Sequence, residues 1–226
     1  MKLPPSGGIF LGNKPQATQF VSTHYQNSTL NYSLQDRKAQ RAAIRQARRS
    51  LPLEQQQRAA RLVADWAMTQ TLFPLGQHIA IYMDADGEVG TQPLLNALIN
   101  QGISCYLPVL VPETTTLEFR QYLPDRPLVT NFFGLLEPAA NAPTITPETL
   151  DTVFMPLVGF DAAGNRLGMG KGYYDRTFSF LMSSDRESPR LIGLAHDCQR
   201  VEKLEAADWD VPLSGIITPG CYYPVR

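Results

Sequence analysis

The chain has 226 residues, 43% of them hydrophobic, with 20 Lys and Arg against 21 Asp and Glu for a formal net charge of −1. That length buries roughly 70% of the unfolded surface, enough for one well-packed domain, and a balanced charge excludes a whole-protein field drawing it to nucleic acid or to an anionic membrane, so any anion site is local. An odd set of 3 cysteines, Cys105, Cys198 and Cys221, reads as reduced thiols in a cytoplasmic protein, and the lack of an apolar run near the ~18 residues of a membrane span reads as soluble and unexported.

In chain order, residues 1–34 are polar, Gly- and Pro-containing and without period, which predicts a flexible N-terminal extension. Ser33 followed by Asp36 resembles a helix cap, and a Gly- and Pro-free run predicts a helix over 35–49. Pro52 suits the first turn of a second helix, whose Leu62, Val63, Trp66 and Ala67 form an apolar stripe and which Pro74 and Gly76 close. Then come strand HIAIYM (78–83), helix TQPLLNALINQG (91–102), strand SCYLPVLV (104–111) and the alternating strand LEFRQYL (117–123). LDTVFMPLVGF (150–160) reads as a fully buried central strand, GYYDRTFSFLM (172–182) as a helix, RLIGLAH (190–196) as a strand, VEKLEAADW (201–209) as a short helix or turn, and SGIITP (214–219) as the last strand. The fold class expected is α/β: one domain over 35–226, an open, mainly parallel sheet with helices on both faces in three Rossmann-like αβα layers. Such sheets bind ligands beyond the carboxyl ends of their strands.

GMGKGYYDR (168–176) follows the central-strand candidate and precedes a predicted helix, so it falls at that end. Gly168, Gly170 and Gly172 remove every second side chain, letting backbone N–H groups approach an anion, and Arg166 and Lys171 add positive charge. A Walker loop would need Gly at Asn165 and Ser or Thr at Gly172; a dinucleotide loop from Gly168 would need Gly at Tyr173, and from Gly170 at Asp175. Both fingerprints fail. A tight strand-to-helix turn is the plain alternative, but Tyr173 and Tyr174 offer stacking or hydrogen bonding, and Asp175 beside bound phosphates calls for a Mg²⁺ ion between them.

FDAAGNRLGMGKGYYDR resembles the signature of the 5-formyltetrahydrofolate cyclo-ligase family, also called methenyltetrahydrofolate synthetases. The similarity extends through IAIYMDADGEVGTQPL (79–94), CYLPVL (105–110), FGLLEP (133–138) and GLAHDCQRVEKLEAADWDVPLSGIITP (193–219). It implies an enzyme that closes the imidazoline ring of 5-formyltetrahydrofolate to 5,10-methenyltetrahydrofolate, using ATP as co-substrate and Mg²⁺ and releasing ADP and phosphate. The N5 formyl group is an unreactive amide, so the implied route phosphorylates its oxygen before N10 attacks. Small-molecule substrates, no nucleic acid, no membrane and a monomer are the implied partners.

By the same resemblance, ATP would meet Arg37, Arg41 and the run Arg166, Leu167, Gly168, Met169, Gly170, Lys171, Gly172, Tyr173 and Tyr174, with Lys171 and Arg166 as the catalytic pair. Some relatives carry Arg where Met169 stands, which removes one phosphate contact here. Arg37 occupies a place where relatives usually have Lys, four residues before Arg41. Folate would meet Met83, Glu88, Met169, Gly170, Lys171, Gly172 and Tyr173, with the Glu88 carboxylate accepting from the 2-amino and N3–H edge of the pterin. Asp175 and Asp210 would be the metal ligands.

Several of these residues have plainer readings. Arg37, Arg41, Arg45 and Arg48 form a helical stripe that is ordinarily a solvated face, Met83 could be core, and Asp210 could be a turn carboxylate before Pro212. The run His196, Asp197, Cys198 has no second ligand cluster and reads as a strand-end structural element. A nucleotide- or RNA-binding protein using the Arg stripe, or another small-molecule kinase or isomerase on this scaffold, are the competing functions.

Overall fold

The computed structural model describes residues 37–69, 77–183 and 188–225. The N-terminal extension, the Ser33 cap with Asp36 and the helix stop at Pro74 and Gly76 lie outside the described residues.

Two helices, α1 (Arg37–Arg49) and α2 (Leu53–Thr69), lead into β1 (His78–Ala80), α3 (Gln92–Asn100), β2 (Ser104–Leu110) and β3 (Leu117–Gln121). Three short strands follow, β4 (Leu128–Thr130), β5 (Leu136–Pro138) and β6 (Thr144–Ile145), then β7 (Thr152–Pro156), β8 (Gly159–Phe160), β9 (Arg166–Leu167) and α4 (Tyr173–Thr177). The chain ends with β10 (Arg190–Leu194), β11 (Gly215–Ile217) and β12 (Tyr222–Pro224).

Eight strands form one sheet in the order β12-β11-β10-β7-β1-β2-β3-β6. The central five, β11, β10, β7, β1 and β2, run parallel, while β12 pairs antiparallel with β11, β3 with β2, and β6 with β3. The strand pleat sorts the core by odd and even positions. Ile79, Cys105, Leu107, Phe154, Ile192 and Ile217 face α2 and α3, meeting Val63, Ala67, Leu94, Leu95 and Leu98. Ala80, Tyr106, Val153, Met155, Leu191 and Ile216 face the other way, covered by Phe178 after α4 and by Phe180 and Leu181. Each fully buried side chain of this size contributes about 2–3 kcal/mol. An α/β sheet with both faces covered is therefore the architecture, as the alternation of elements predicts.

Several elements depart from the sequence reading. The apolar run 150–160 is not one strand: β7 stops at Pro156, which has no N–H for the ladder, and β8 leaves the sheet to pair antiparallel with β9. Arg166 therefore sits on a strand rather than in a loop. The predicted helix 172–182 is only α4 followed by a 3-10 turn, Ser179–Met182. The Thr177 hydroxyl donates back to the Tyr173 carbonyl at 2.7 Å and accepts from the Leu117 N–H at 2.8 Å, tying α4 to β3 and competing with helix propagation. Over 201–209 the turn alternative holds, with a turn at Asp208 and Trp209 and no helix. The β4–β5 hairpin, β6 and the edge strand β12 are too short or too Pro-marked to stand out in the sequence.

α1 lies on the β8–β9 hairpin rather than on the sheet, through a small cluster of Ile44, Val158, Leu167 and Leu204. Gly159 permits this, since a Cβ there would sit 2.9 Å from Ile44 Cδ1. That contact fixes which way the arginines of α1 point. The three cysteines are free, and among the described residues no helix is long and apolar enough to cross a membrane.

Candidate active site

From β1 the chain first builds outward to β2 and later returns to the other side with β7, so the strand order reverses between β1 and β7. A crevice opens at the carboxyl ends of strands at such a switch point. A cleft of about 650 Å³ lies there. Tyr82, Met83, Asp86 and Glu88 reach it from beyond β1, Pro156 and Leu157 from the end of β7, and Pro108 and Leu110 from β2. α1 brings Arg37, Arg41 and Arg48, and the run from Arg166 to Asp175 forms a further wall with Trp209 and Asp210. Every candidate site residue named from the sequence lines this cleft: Arg37, Arg41, Met83, Glu88, Asp210 and the unbroken run from Arg166 through Met169, Lys171, Tyr173 and Tyr174 to Asp175.

One side of the cleft is basic. Arg41 donates through Nε to the Gly168 carbonyl at 2.8 Å. Gly170 has φ +90°, and a Cβ there would lie 3.4 Å from the Arg41 guanidinium carbon, so the loop and the arginine are in close contact. Arg37 donates to the Glu205 carbonyl and lies 3.6 Å from Asp210 Oδ2, which also accepts from the Ala207 N–H at 2.9 Å. Arg166 pairs with Asp175 and donates to the Val211 carbonyl, while the Val211 N–H donates to Asp175 Oδ1 at 3.3 Å. These bonds bring the carboxylates of Asp175 and Asp210 to one wall. Met169 and Lys171 are exposed toward the opening. Because α4 has only five residues, its dipole adds little behind the glycine loop.

The other side is acidic and enclosed. Glu88 Oε2 accepts from the Ala85 N–H at 3.2 Å, and Oε1 lies 3.5 Å from Arg48 Nη2. Burial pushes the Glu88 carboxyl up to about 7, helped by the charges of Asp86 and Asp84 and opposed by Arg48 and the Ala85 N–H. Burial, then the Glu88 charge, raises Tyr174; burial, then Glu88 and Asp84, raises Tyr82. Both phenols therefore stay protonated beside Glu88.

The sequence reading missed how the arginine stripe divides. Arg45 and Arg48 donate to Asp86 Oδ2 at 2.8 and 2.9 Å, and Arg49 pairs with Asp86 Oδ1. Burial raises the Asp86 carboxyl, but the three arginine hydrogen bonds outweigh it and hold the group down at about 2. Arg37, Arg41 and Arg48 thus all line the cleft, but Arg48, with Arg45 and Arg49, is committed to locking the 84–88 loop. Missed as well were Phe133, Leu136 and Glu137 of the β4–β5 hairpin, within the FGLLEP segment, which also line the cleft.

Among the described residues no group of three or more His, Cys, Asp and Glu is placed to hold a metal by protein alone. Two carboxylates on one wall suit a Mg²⁺ ion that takes its remaining oxygens from water and from substrate phosphates.

Comparison with known proteins agrees in scope. Residues 33–219 match the 5-formyltetrahydrofolate cyclo-ligase family. The chain is 43% identical over 185 residues to the 5-formyltetrahydrofolate cyclo-ligase of Haemophilus influenzae, covering 81% of this chain and 97% of that one. The 5,10-methenyltetrahydrofolate synthetase of Aquifex aeolicus superposes with a TM-score of 0.72 at 27% identity, over 84% of this chain and 93% of its own. That of Mycoplasma pneumoniae gives 0.65 at 28% identity, over 81% and 99%.

Proposed function

Since the chain belongs to the 5-formyltetrahydrofolate cyclo-ligase family and is a ligase of that kind, we propose that its cleft closes 5-formyltetrahydrofolate to 5,10-methenyltetrahydrofolate at the expense of ATP, with Mg²⁺. The observation that carries this reading is the polarity of one cavity: arginines, Lys171 and two carboxylates around a glycine loop at one side, and a buried carboxylate among apolar walls at the other.

The chemical obstacle is the N5 formyl group, whose oxygen is a poor leaving group. In the proposed route that oxygen attacks the γ-phosphorus of ATP, the bond to the β-γ bridging oxygen breaks, and ADP leaves. N10 then adds to the activated carbon, the C–O bond to phosphate breaks, and the N10 proton departs with the phosphate. The N5–C–N10 amidinium of the product remains. Phosphoryl transfer of this kind depends mainly on positioning and on stabilising charge.

The residues present suit those tasks. Gly168 to Gly172 let backbone N–H groups approach phosphate, and Arg41, lying against Gly170, contributes a planar fork. Lys171 is exposed at the opening and supplies a mobile point charge for the transferring phosphoryl group. Arg166, held on β9 and paired with Asp175, is oriented before ligand arrives. Asp175 and Asp210 would hold Mg²⁺, which when bound neutralises phosphate charge. Glu88 accepts the donor edge of the pterin, with Met83 and Tyr82 as apolar walls. The β4–β5 hairpin with Phe133 and Leu136 restricts water.

The test is direct. The purified protein, given 5-formyltetrahydrofolate, Mg²⁺ and ATP, should raise the near-ultraviolet absorbance of methenyltetrahydrofolate and release ADP in equal amount. Absence of any ATP-dependent rise refutes the reading.

A further inference from the structure

Arg48 has 0% side-chain exposure, a state that arginine adopts almost only when fully paired. Its fork is used at every position: Nε donates to the Asp86 carbonyl at 2.9 Å, Nη1 to the Leu157 carbonyl at 3.1 Å, and Nη2 to Asp86 Oδ2 at 2.9 Å. One guanidinium thus joins α1, the loop beyond β1 and the chain beyond β7, the two strand ends that flank the switch point.

Neutralising Asp86 does not explain it, because Arg45 and Arg49 already pair with that carboxylate. The unbalanced part of the Arg48 charge lies 3.5 Å from Glu88 Oε1. The other Glu88 oxygen is held by the Ala85 N–H. A carboxylate has about four lone-pair sites, so two protein donors, one on each oxygen, leave one acceptor direction per oxygen for the cleft. That is the arrangement needed to meet two parallel N–H donors.

We propose that Arg48 is a positioning residue that fixes the charge and orientation of Glu88 from within the cleft wall, and so selects heterocycles whose edge carries two adjacent N–H donors. The inference rests on the folate reading, and names what makes Glu88 selective. The groups facing Glu88 are Arg48 from α1, Asp84, Ala85 and Asp86 from its own loop, Tyr82 from beyond β1 and Tyr174 from α4. The His196 ring, from beyond β10, faces the backbone at Gly87 and Glu88. Of these, Arg48 is the only cation, and removing it leaves Glu88 among carboxylates and phenols.

The experiment compares the full-length protein with Arg48→Met, Arg48→Lys, Glu88→Gln and the double variant Arg48→Met/Glu88→Gln, measuring kcat and both KM values from pH 6 to 9. Arg48→Met should raise the folate KM about tenfold or more, leave the ATP KM and kcat within about twofold, and move to higher pH the point below which folate KM climbs. Arg48→Lys should restore part of the loss. In the Glu88→Gln background, Arg48→Met should add nothing. Equal loss in kcat and both KM values, an unmoved pH profile, or an undiminished effect in the Glu88→Gln background overturns the inference. If Arg48→Met does not fold, the pH profile of Arg48→Lys decides in the same way. Wild-type turnover separates the two levels: without it the folate reading falls and this inference with it, whereas turnover with unaltered variants removes the role of Arg48 alone.

Discussion

Arg41 Nε on α1 donates to the carbonyl of Gly168, 127 residues later, at 2.8 Å, so the first helix and the glycine loop form one wall of the cleft. The guanidinium packs beside Gly170, 3.4 Å from where a Cβ would stand.

Gly170→Ala tests that wall. Its φ of +90° disfavours a side chain, and the new Cβ would lie in contact with the Arg41 guanidinium, 3.4 Å from its central carbon. The variant should lose about 1–2 kcal/mol of stability and show a raised ATP KM with little change in folate KM. An unaltered ATP KM, by initial rates, would remove the loop from nucleotide binding.

Lys171→Ala removes an exposed side chain, so its thermal midpoint should stay within a degree or so. Turnover should fall by about 10²–10³-fold. Unchanged kcat would refute a role for the ammonium in the transfer.

For Asp175→Asn the metal requirement is the readout. The Mg²⁺ concentration for half-maximal rate should rise about tenfold, and the partner Arg166 would keep a neutral acceptor. A normal Mg²⁺ titration would take Asp175 out of the metal shell. Asp210→Asn should behave alike.

Glu88 links binding to stability. The native state holds its proton more tightly than the unfolded chain, with a carboxyl at about 7 against 4.5. Stability is therefore intact below pH 4.5 and falls as pH rises through 7, by about 3 kcal/mol at most. Glu88→Gln should unfold at a higher temperature than wild type at pH 8, with no such gain at pH 5, while its folate KM rises. A lower melting temperature at pH 8 would contradict the buried-carboxylate account.

Asp86 has the opposite sign. Held at about 2 against 3.8, its ionised form stabilises the fold at neutral pH by about 1 kcal/mol once solvent screening is allowed for, and that contribution disappears as pH falls from 4 towards 2. In denaturant titrations, Asp86→Asn should be less stable than wild type at pH 7 and no longer so at pH 2. Equal stability at pH 7 would mean that the three arginines gain nothing from it.

The first three helices, the parallel core strands and the glycine loop were readable because each depends on contiguous residues. Short apolar runs bounded by turn residues, as in HIAIYM and RLIGLAH, mark buried strands wherever they sit, and the glycine spacing announces the positive φ found at Gly170 and Gly172 before any neighbour is known. Periodicity was silent where pairing partners change. The run 150–160 stays apolar across Pro156 although β7 and β8 belong to different sheets. GYYDRTFSFLM has helical composition although Thr177 is drawn to Leu117 of β3.

The sequence by itself determined an α/β chain with a phosphate-suited loop and determined which residue types could serve it, since charge, glycine spacing and hydrophobic period are local properties. Only the tertiary structure decided how the single stripe of Arg37, Arg41, Arg45 and Arg48 is divided. A 3.6-residue period puts all four on one helix face, but what that face meets depends on distant chain. Ile44 seats α1 on the β8–β9 hairpin, the 84–88 loop returns from β1 against its last turn, and Arg48 is fully buried in the cleft wall while Arg41 reaches the glycine loop. Long-range packing, which no window of sequence contains, separates the arginines that bind from those that hold.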